Sequence, residues 1–155
     1  MRLVVSGTFD PLHDGHRAVL REALRFGDDG VVIGLRSERF AEAIVPEARD
    51  LRSYDRRQVI VEEAVETLDD WGRDVVVQRL EDDHGIAGEE PQIDGLVTSP
   101  RDASDIEDVN ELRRVRGLQP LTGIVAPTAM SEDGEPISST RIAAGEIDEH
   151  GVVLE

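Results

Sequence analysis

The chain has 155 residues, 39% of them apolar and 3% aromatic, with a net charge of -17 from 34 acidic and 17 basic side chains. That length suits one domain, 1–155, built on an aliphatic core. The charge opposes nucleic acid and anionic membranes as partners, and the absence of cysteine excludes disulfides, thiolate metal sites and a Cys nucleophile.

In chain order, Leu3 to Val5 predicts a short buried strand. His16 to Phe26 predicts a helix with Ala18, Val19, Ala23, Leu24 and Phe26 on or near one face. A Gly27-Asp28-Asp29-Gly30 turn leads to a second strand, Val31 to Leu35. Ser37 to Ala43 suits a short helix, and Pro46 interrupts the pattern. Ser53 is an N-cap for a helix reaching about Asp70, with Val59, Ile60, Ala64, Val65 and Leu68 at helical spacing, before Gly72. Val75 to Leu80 is a third strand. Glu81 to Pro91 is acidic and reads as a loop or an irregular short helix. Gly95 to Thr98 is a fourth strand, Ser104 to Arg116 a helix closed by Gly117, and Leu121 to Ala126 a fifth strand. A polar turn, Ser131 to Pro136, precedes a last short helix, Ser138 to Ala144. Strands alternating with helices predict an α/β, Rossmann-like, doubly wound fold: a five-stranded, mainly parallel sheet with helices on both faces. Ligands of such sheets bind outside the carboxyl ends of the strands, at a switch point.

The segment Gly7-Thr8-Phe9-Asp10-Pro11-Leu12-His13-Asp14-Gly15-His16 falls at such an end, between the first strand and the first helix. Gly7 permits close backbone approach to a phosphate, and the N–H groups of Thr8 and Phe9 and the Thr8 hydroxyl can donate to it. His16 sits at a helix N-terminus, where the dipole favours an anion. With His13 it can stabilise charge developing on a phosphate in the transition state. Two histidines three apart also suit a metal, with Asp10 or Asp14 as a third ligand, or are incidental polar loop residues. Near the other end, Pro136-Ile137-Ser138-Ser139-Thr140-Arg141 is a helix start whose hydroxyls, N–H groups and guanidinium make an anion site. Taken alone, it reads first as a simple N-cap with a solvent-facing Arg.

Together the two segments resemble the signature motifs of the nucleotidyltransferase superfamily, and the spacing of Arg141 directly after Thr140 resembles archaeal-type phosphopantetheine adenylyltransferases. Further matches are Val32-Ile33-Gly34-Leu35 with Ser37 and Phe40, Tyr54-Asp55-Arg56-Arg57, and Asp82 to Ala87. Asn110, Arg113 to Gly117 with Pro120, Glu132-Asp133-Gly134 and Gly145-Glu146-Ile147-Asp148 complete them. The likeness spans Val4 to Gly151. Departures are Ser6 in place of a first Gly, and Ile86 where the family has Pro. The bacterial enzymes' phosphate-contacting Lys after the second strand has no counterpart, since all 17 basic residues are Arg. Ser99-Pro100-Arg101-Asp102 replaces their arginine-rich turn.

The resemblance implies an enzyme of coenzyme A biosynthesis that joins ATP and 4'-phosphopantetheine into dephospho-CoA and pyrophosphate. Thr8, His13 and His16 would be catalytic. Gly7, Thr8, Phe9, His16, Ser138, Ser139, Thr140 and Arg141 would bind ATP, and Arg36, Arg39 or Arg101 would take the acceptor phosphate. Arg17 and Arg101 read equally well as surface charges. Mg²⁺ is expected with ATP, keeping several waters, and no separate protein metal site is expected. A sister enzyme with glycerol phosphate and CTP, or FMN and ATP, is the alternative. A nucleotide-binding protein without catalysis and a metal-binding regulator are two others. A homo-oligomer is compatible with each.

An acidic, Lys-free chain also suits a high-salt cytoplasm, where the Debye length shrinks to about 3 Å at molar salt. No apolar run is as long as a membrane span, and Leu3-Val4-Val5 is too short for a signal-peptide core, so a cytoplasmic protein is expected.

Overall fold

The computed structural model describes residues 1–45 and 50–155. Its elements are β1 (Arg2–Gly7), α1 (Asp14–Phe26), β2 (Gly30–Arg36), α2 (Glu38–Ile44), α3 (Tyr54–Leu68), β3 (Val75–Leu80), α4 (Gly85–Glu89), β4 (Gly95–Thr98), α5 (Ser104–Val115), β5 (Thr122–Val125) and α6 (Ser139–Ala143). The five strands form one sheet in the order β3-β2-β1-β4-β5, and every neighbouring pair is parallel. The chain winds outward from β1 to β3, then returns to β4 on the other side of β1. Crossovers of one hand therefore place helices on opposite faces of the two halves, and the carboxyl ends of β1 and β4 part at the switch point.

Side-chain alternation divides the core accordingly. Leu3, Val5, Val31, Ile33 and Leu35 pack under Val19, Leu20, Ala23 and Leu24 of α1 and Tyr54, Val61 and Val65 of α3. Val4, Val32 and Leu96 pack on the other face, under Ile86 and Ala87 of α4 and Val109 of α5. At about 25 cal/mol per Å² of apolar surface, this burial is the main stabilising term. No helix among the described residues is long and apolar enough to cross a membrane.

Several boundaries differ from the expectation. α1 starts at Asp14, two residues before His16, because the His13 side chain serves as its N-cap. Phe26 is 42% exposed and Leu20 takes its place in the core. In α3 the buried line is Tyr54, Arg57, Val61 and Val65, while Val59 is exposed. α3 ends at Leu68 because the Asp69 carboxylate collects the N–H groups of Trp71, Gly72 and Arg73. The acidic stretch after β3 contains the short helix α4, one of the two forms expected of it. The interruption expected at Pro46 lies outside the described residues.

The segment after α6 folds back over the turn before it. Glu132 N–H donates to Gly151 O (2.9 Å), Leu154 N–H donates to Glu146 O (3.0 Å), and Ile147 bridges to Val153. Gly151 has φ of +83°, and a Cβ there would stand 2.7 Å from Ser131 Cα, so only glycine fits this return.

Candidate active site

The loop from Thr8 to His13 leaves β1 at the switch point, and most of it is buried. Thr8, Phe9, Asp10 and His13 are 8%, 3%, 3% and 7% exposed. Phe9 adopts φ of 56°, a left-handed conformation costly for a bulky side chain and held only by well-packed surroundings. Its ring lies 3.1 Å from where a Gly7 Cβ would stand and 5.2 Å from the centre of the His16 ring. Gly7 thus makes room for the Phe9 ring, a role its phosphate reading did not anticipate. The Asp10–Pro11 peptide is cis.

The two histidines are organised by the backbone at the start of α1. His13 Nδ1 accepts the Gly15 N–H at 3.0 Å, and His16 Nδ1 accepts the His13 N–H at 3.2 Å. The rings stack with centres 3.8 Å apart and planes 26° apart. An imidazole whose Nδ1 accepts must, when neutral, carry its proton on Nε2. The capping box therefore gives both histidines the same tautomer, each with an Nε2–H donor. Gly15 is the residue that permits it: a Cβ there would lie 2.7 Å from His13 Cε1 and 2.9 Å from its Nδ1.

Around Thr8 the chain gathers cations. Arg36, at the end of β2, donates from Nη1 to Thr8 Oγ1 at 3.1 Å. Burial pushes its guanidinium below the ordinary value, while Asp83, Asp102 and Asp105 pull it back up. Arg57 is 0% exposed and donates to three carbonyls, those of Thr8, Arg36 and Arg52. Arg52 in turn pairs with the Asp10 carboxylate, to which its own N–H also donates at 2.8 Å. Arg39 is exposed on α2, and Arg101 is exposed in the single-turn 3-10 segment Pro100–Asp102 that follows β4. Of the three arginines expected at the acceptor phosphate, Arg36 is the one bonded to Thr8.

Arg57 and Arg52 were not anticipated as parts of this site, and Asp10, weighed as a metal ligand beside the two histidines, is instead paired with Arg52. Arg57 carried two legible signals: its place in the family match Tyr54-Asp55-Arg56-Arg57, and a charge at a position of α3 in line with Tyr54, Val61 and Val65. Thr98 was also missed. It ends β4 at the switch point, is 7% exposed, and its hydroxyl has no hydrogen-bond partner among the described residues.

The second motif starts α6. Ser138 is the N-cap, its Oγ accepting the Arg141 N–H at 3.2 Å, and Ser139 and Thr140 form the first turn. Arg141 is turned onto its own segment. It pairs with Asp133, reaches Glu146 at 3.4 Å, and donates to Ser131 Oγ (3.0 Å) and Pro136 O (3.1 Å). The Ser131 hydroxyl, the Glu135 N–H and Arg141 together hold the Asp133 carboxyl down to about 2.

The two motifs meet. Ile137 O lies 3.9 Å from where a Gly15 Cβ would stand. The C-terminal return also grips the start of α1: Asp14 N–H donates to Glu149 O at 3.0 Å, and Arg17 bridges Asp14 (2.9 Å) and Glu149 (3.0 Å). His150 Nδ1 lies 3.0 Å from the Asp14 carboxylate. Arg17 thus fastens the strap.

A family model of cytidylyltransferase-like proteins matches residues 4–145. A phosphopantetheine adenylyltransferase of Methanosarcina acetivorans is 36% identical over 151 residues, which cover 97% of this chain and 94% of that protein. One from Methanopyrus kandleri is 38% identical over 148 residues, covering 96% and 91%. A solved structure of an Archaeoglobus fulgidus protein superposes with a TM-score of 0.71 at 24% identity, covering 82% of this chain and 90% of that one, and shows the same fold.

Proposed function

The chain belongs to the cytidylyltransferase-like family, and we propose that it joins ATP to 4'-phosphopantetheine, releasing pyrophosphate and forming dephospho-CoA. The observation that carries the chemistry is the pair of stacked histidines whose Nδ1 atoms are both tied to backbone N–H groups. The names of the archaeal relatives, matched over more than nine-tenths of each chain, support the choice of acceptor.

In this reading an oxygen of the acceptor phosphate attacks the α-phosphorus of ATP. The new P–O bond forms as the bond to the β-bridging oxygen breaks, and that oxygen leaves with pyrophosphate. No protein nucleophile takes part, so catalysis consists of positioning and charge stabilisation. The Nε2–H groups of His13 and His16 donate to oxygens that gain charge at the α-phosphate and on the leaving group. Fixed donors of this kind contribute about 3–4 kcal/mol each in favourable cases. The Thr8 hydroxyl and Arg36 hold the acceptor phosphate. Ser138, Ser139 and Thr140 present hydroxyls and first-turn N–H groups to the β- and γ-phosphates. Arg141 adds its fork once the triphosphate displaces Asp133, because phosphate competes for the same bidentate geometry.

Mg²⁺ enters with ATP as part of the substrate. The carboxylate within the loop, Asp10, is engaged by Arg52, which fits a metal held by triphosphate oxygens and water. At a net charge of -17, the guanidinium groups of Arg36 and Arg57 beside Thr8 offset repulsion of two anionic substrates.

The test is direct. Purified protein is incubated with ATP, Mg²⁺ and 4'-phosphopantetheine in molar KCl, and pyrophosphate and dephospho-CoA are measured. Stoichiometric appearance of both is expected. Pyrophosphate release without dephospho-CoA contradicts the assignment.

A further inference from the structure

The ladder between β1 and β2 ends at the pair Gly7 and Leu35. The next residues along the two strands are Thr8 and Arg36. There the backbones are joined by a side chain: Arg57 Nη1 donates to both Thr8 O (3.2 Å) and Arg36 O (2.9 Å). The same two residues are linked a second time through Arg36 Nη1 and Thr8 Oγ1 (3.1 Å). A third bond, from Arg57 Nε to Arg52 O (3.1 Å), ties in the segment whose Arg52 holds Asp10.

We propose that Arg57 is a positioning residue for the transfer reaction: its guanidinium is the spacer that sets how far apart Thr8 and Arg36 stand, without touching substrate. This rests on the reading of Thr8 and Arg36 as the acceptor-phosphate site. Burying an arginine is expensive, and an apolar side chain of similar volume would often give equal or better stability. An apolar side chain cannot bridge two carbonyls, whereas the two N–H bonds of Nη1 lie in the fixed plane of the guanidinium, which Nε anchors on Arg52 O, and so set both distance and direction. The nearby charges of Asp10 and Glu38 favour the cation that burial disfavours. Arg57 thus completes the loop at the point where the sheet can no longer do so.

Arg113 supplies a matched control. It is 1% exposed and donates to the carbonyls of Gln119, Ala87 and Glu90, away from the loop. Arg57→Lys and Arg113→Lys are compared for Tm, kcat and the KM of each substrate, together with Arg57→Met. Both lysine variants are expected to lower Tm. Arg57→Lys alone should lower kcat/KM for 4'-phosphopantetheine, by about 100-fold for a displacement on the order of 1 Å, with a smaller change in KM for ATP. Arg57→Met should be worse than Arg57→Lys, which keeps a cationic donor. Equal loss of kcat/KM in the two lysine variants at equal Tm overturns the proposal.

Two further readouts separate it from the function it rests on. If the wild type does not turn over 4'-phosphopantetheine, the functional reading fails, and the amide resonances of Thr8 and Phe9 decide the spacer role. They should shift in Arg57→Lys and not in Arg113→Lys; unmoved resonances overturn it. If Arg57→Lys does not fold, wild-type protein enriched in ¹⁵N-arginine is used. The Arg57 guanidinium resonance should exchange slowly and shift on adding 4'-phosphopantetheine but not ATP. A resonance that neither ligand moves is the contrary result.

Discussion

Replacing Gly15 with alanine separates stability from catalysis at this site. The new Cβ would stand 2.7 Å from His13 Cε1 and 2.9 Å from Nδ1, whereas carbon atoms in contact prefer about 3.5–4.0 Å. The ring must turn away, which breaks the Gly15 N–H to Nδ1 bond of 3.0 Å and the stack on His16. Losing that cap costs about 1 kcal/mol. Alanine in place of glycine returns at most about 1 kcal/mol, the value of a helix interior, since Gly15 is in the first turn of α1. Net stability should therefore change little. Catalysis should not be spared, because His13 Nε2–H no longer points where its ring had been held. A displacement on the order of 1 Å predicts about a 100-fold loss of kcat, equivalent to about 2.7 kcal/mol of transition-state stabilisation. Pyrophosphate release gives kcat, and thermal melts give stability. A Gly15→Ala enzyme at wild-type rate refutes the claim that the capping box aims His13. A grossly unfolded variant refutes the stability balance.

Three other outcomes follow from the same geometry. In His16→Asn the amide oxygen can accept the His13 N–H in place of Nδ1, but no donor stands at Nε2; fold and Tm should persist while kcat falls about 100- to 1,000-fold, and retained activity contradicts the donor role. Asp133 has its pKa lowered from 3.8 to about 2 in the folded protein. Its contribution is therefore present above the ordinary value and is lost as pH falls from about 4 to about 2; an NMR titration of its carboxyl with a midpoint near the ordinary value would show that the grip of Ser131 and Arg141 is absent. Screening of a charge of -17 should raise Tm between low and molar KCl, and a flat or falling series sinks the high-salt reading.

The fold was legible because its signals are local. Five short aliphatic runs, separated by helical periodicity and turn residues, are enough to place five strands and the switch point. The stretch from Gly7 to His16 likewise carried the two histidines and the helix start. The start was misplaced by two residues because a histidine side chain, not Ser, Thr, Asp or Asn, supplies the cap. Arg57 was legible as part of the family match Tyr54-Asp55-Arg56-Arg57, but its burial was not, because that depends on carbonyls 49 and 21 residues away. The pairing of Asp10 with Arg52 and the strap of Glu149 and His150 on α1 are also long-range, so periodicity holds no trace of them. Arg141 shows the opposite limit: its position in the motif was visible, but its engagement by Asp133 and Glu146 was not.

One competition measures the central claim. ATP and CTP are supplied together with equal concentrations of 4'-phosphopantetheine, glycerol phosphate and FMN, with Mg²⁺ in molar KCl, and products are resolved by mass spectrometry. Dephospho-CoA should dominate, with pyrophosphate in equal amount. Dominance of CDP-glycerol or FAD, or the absence of any nucleotidyl product, would contradict the account.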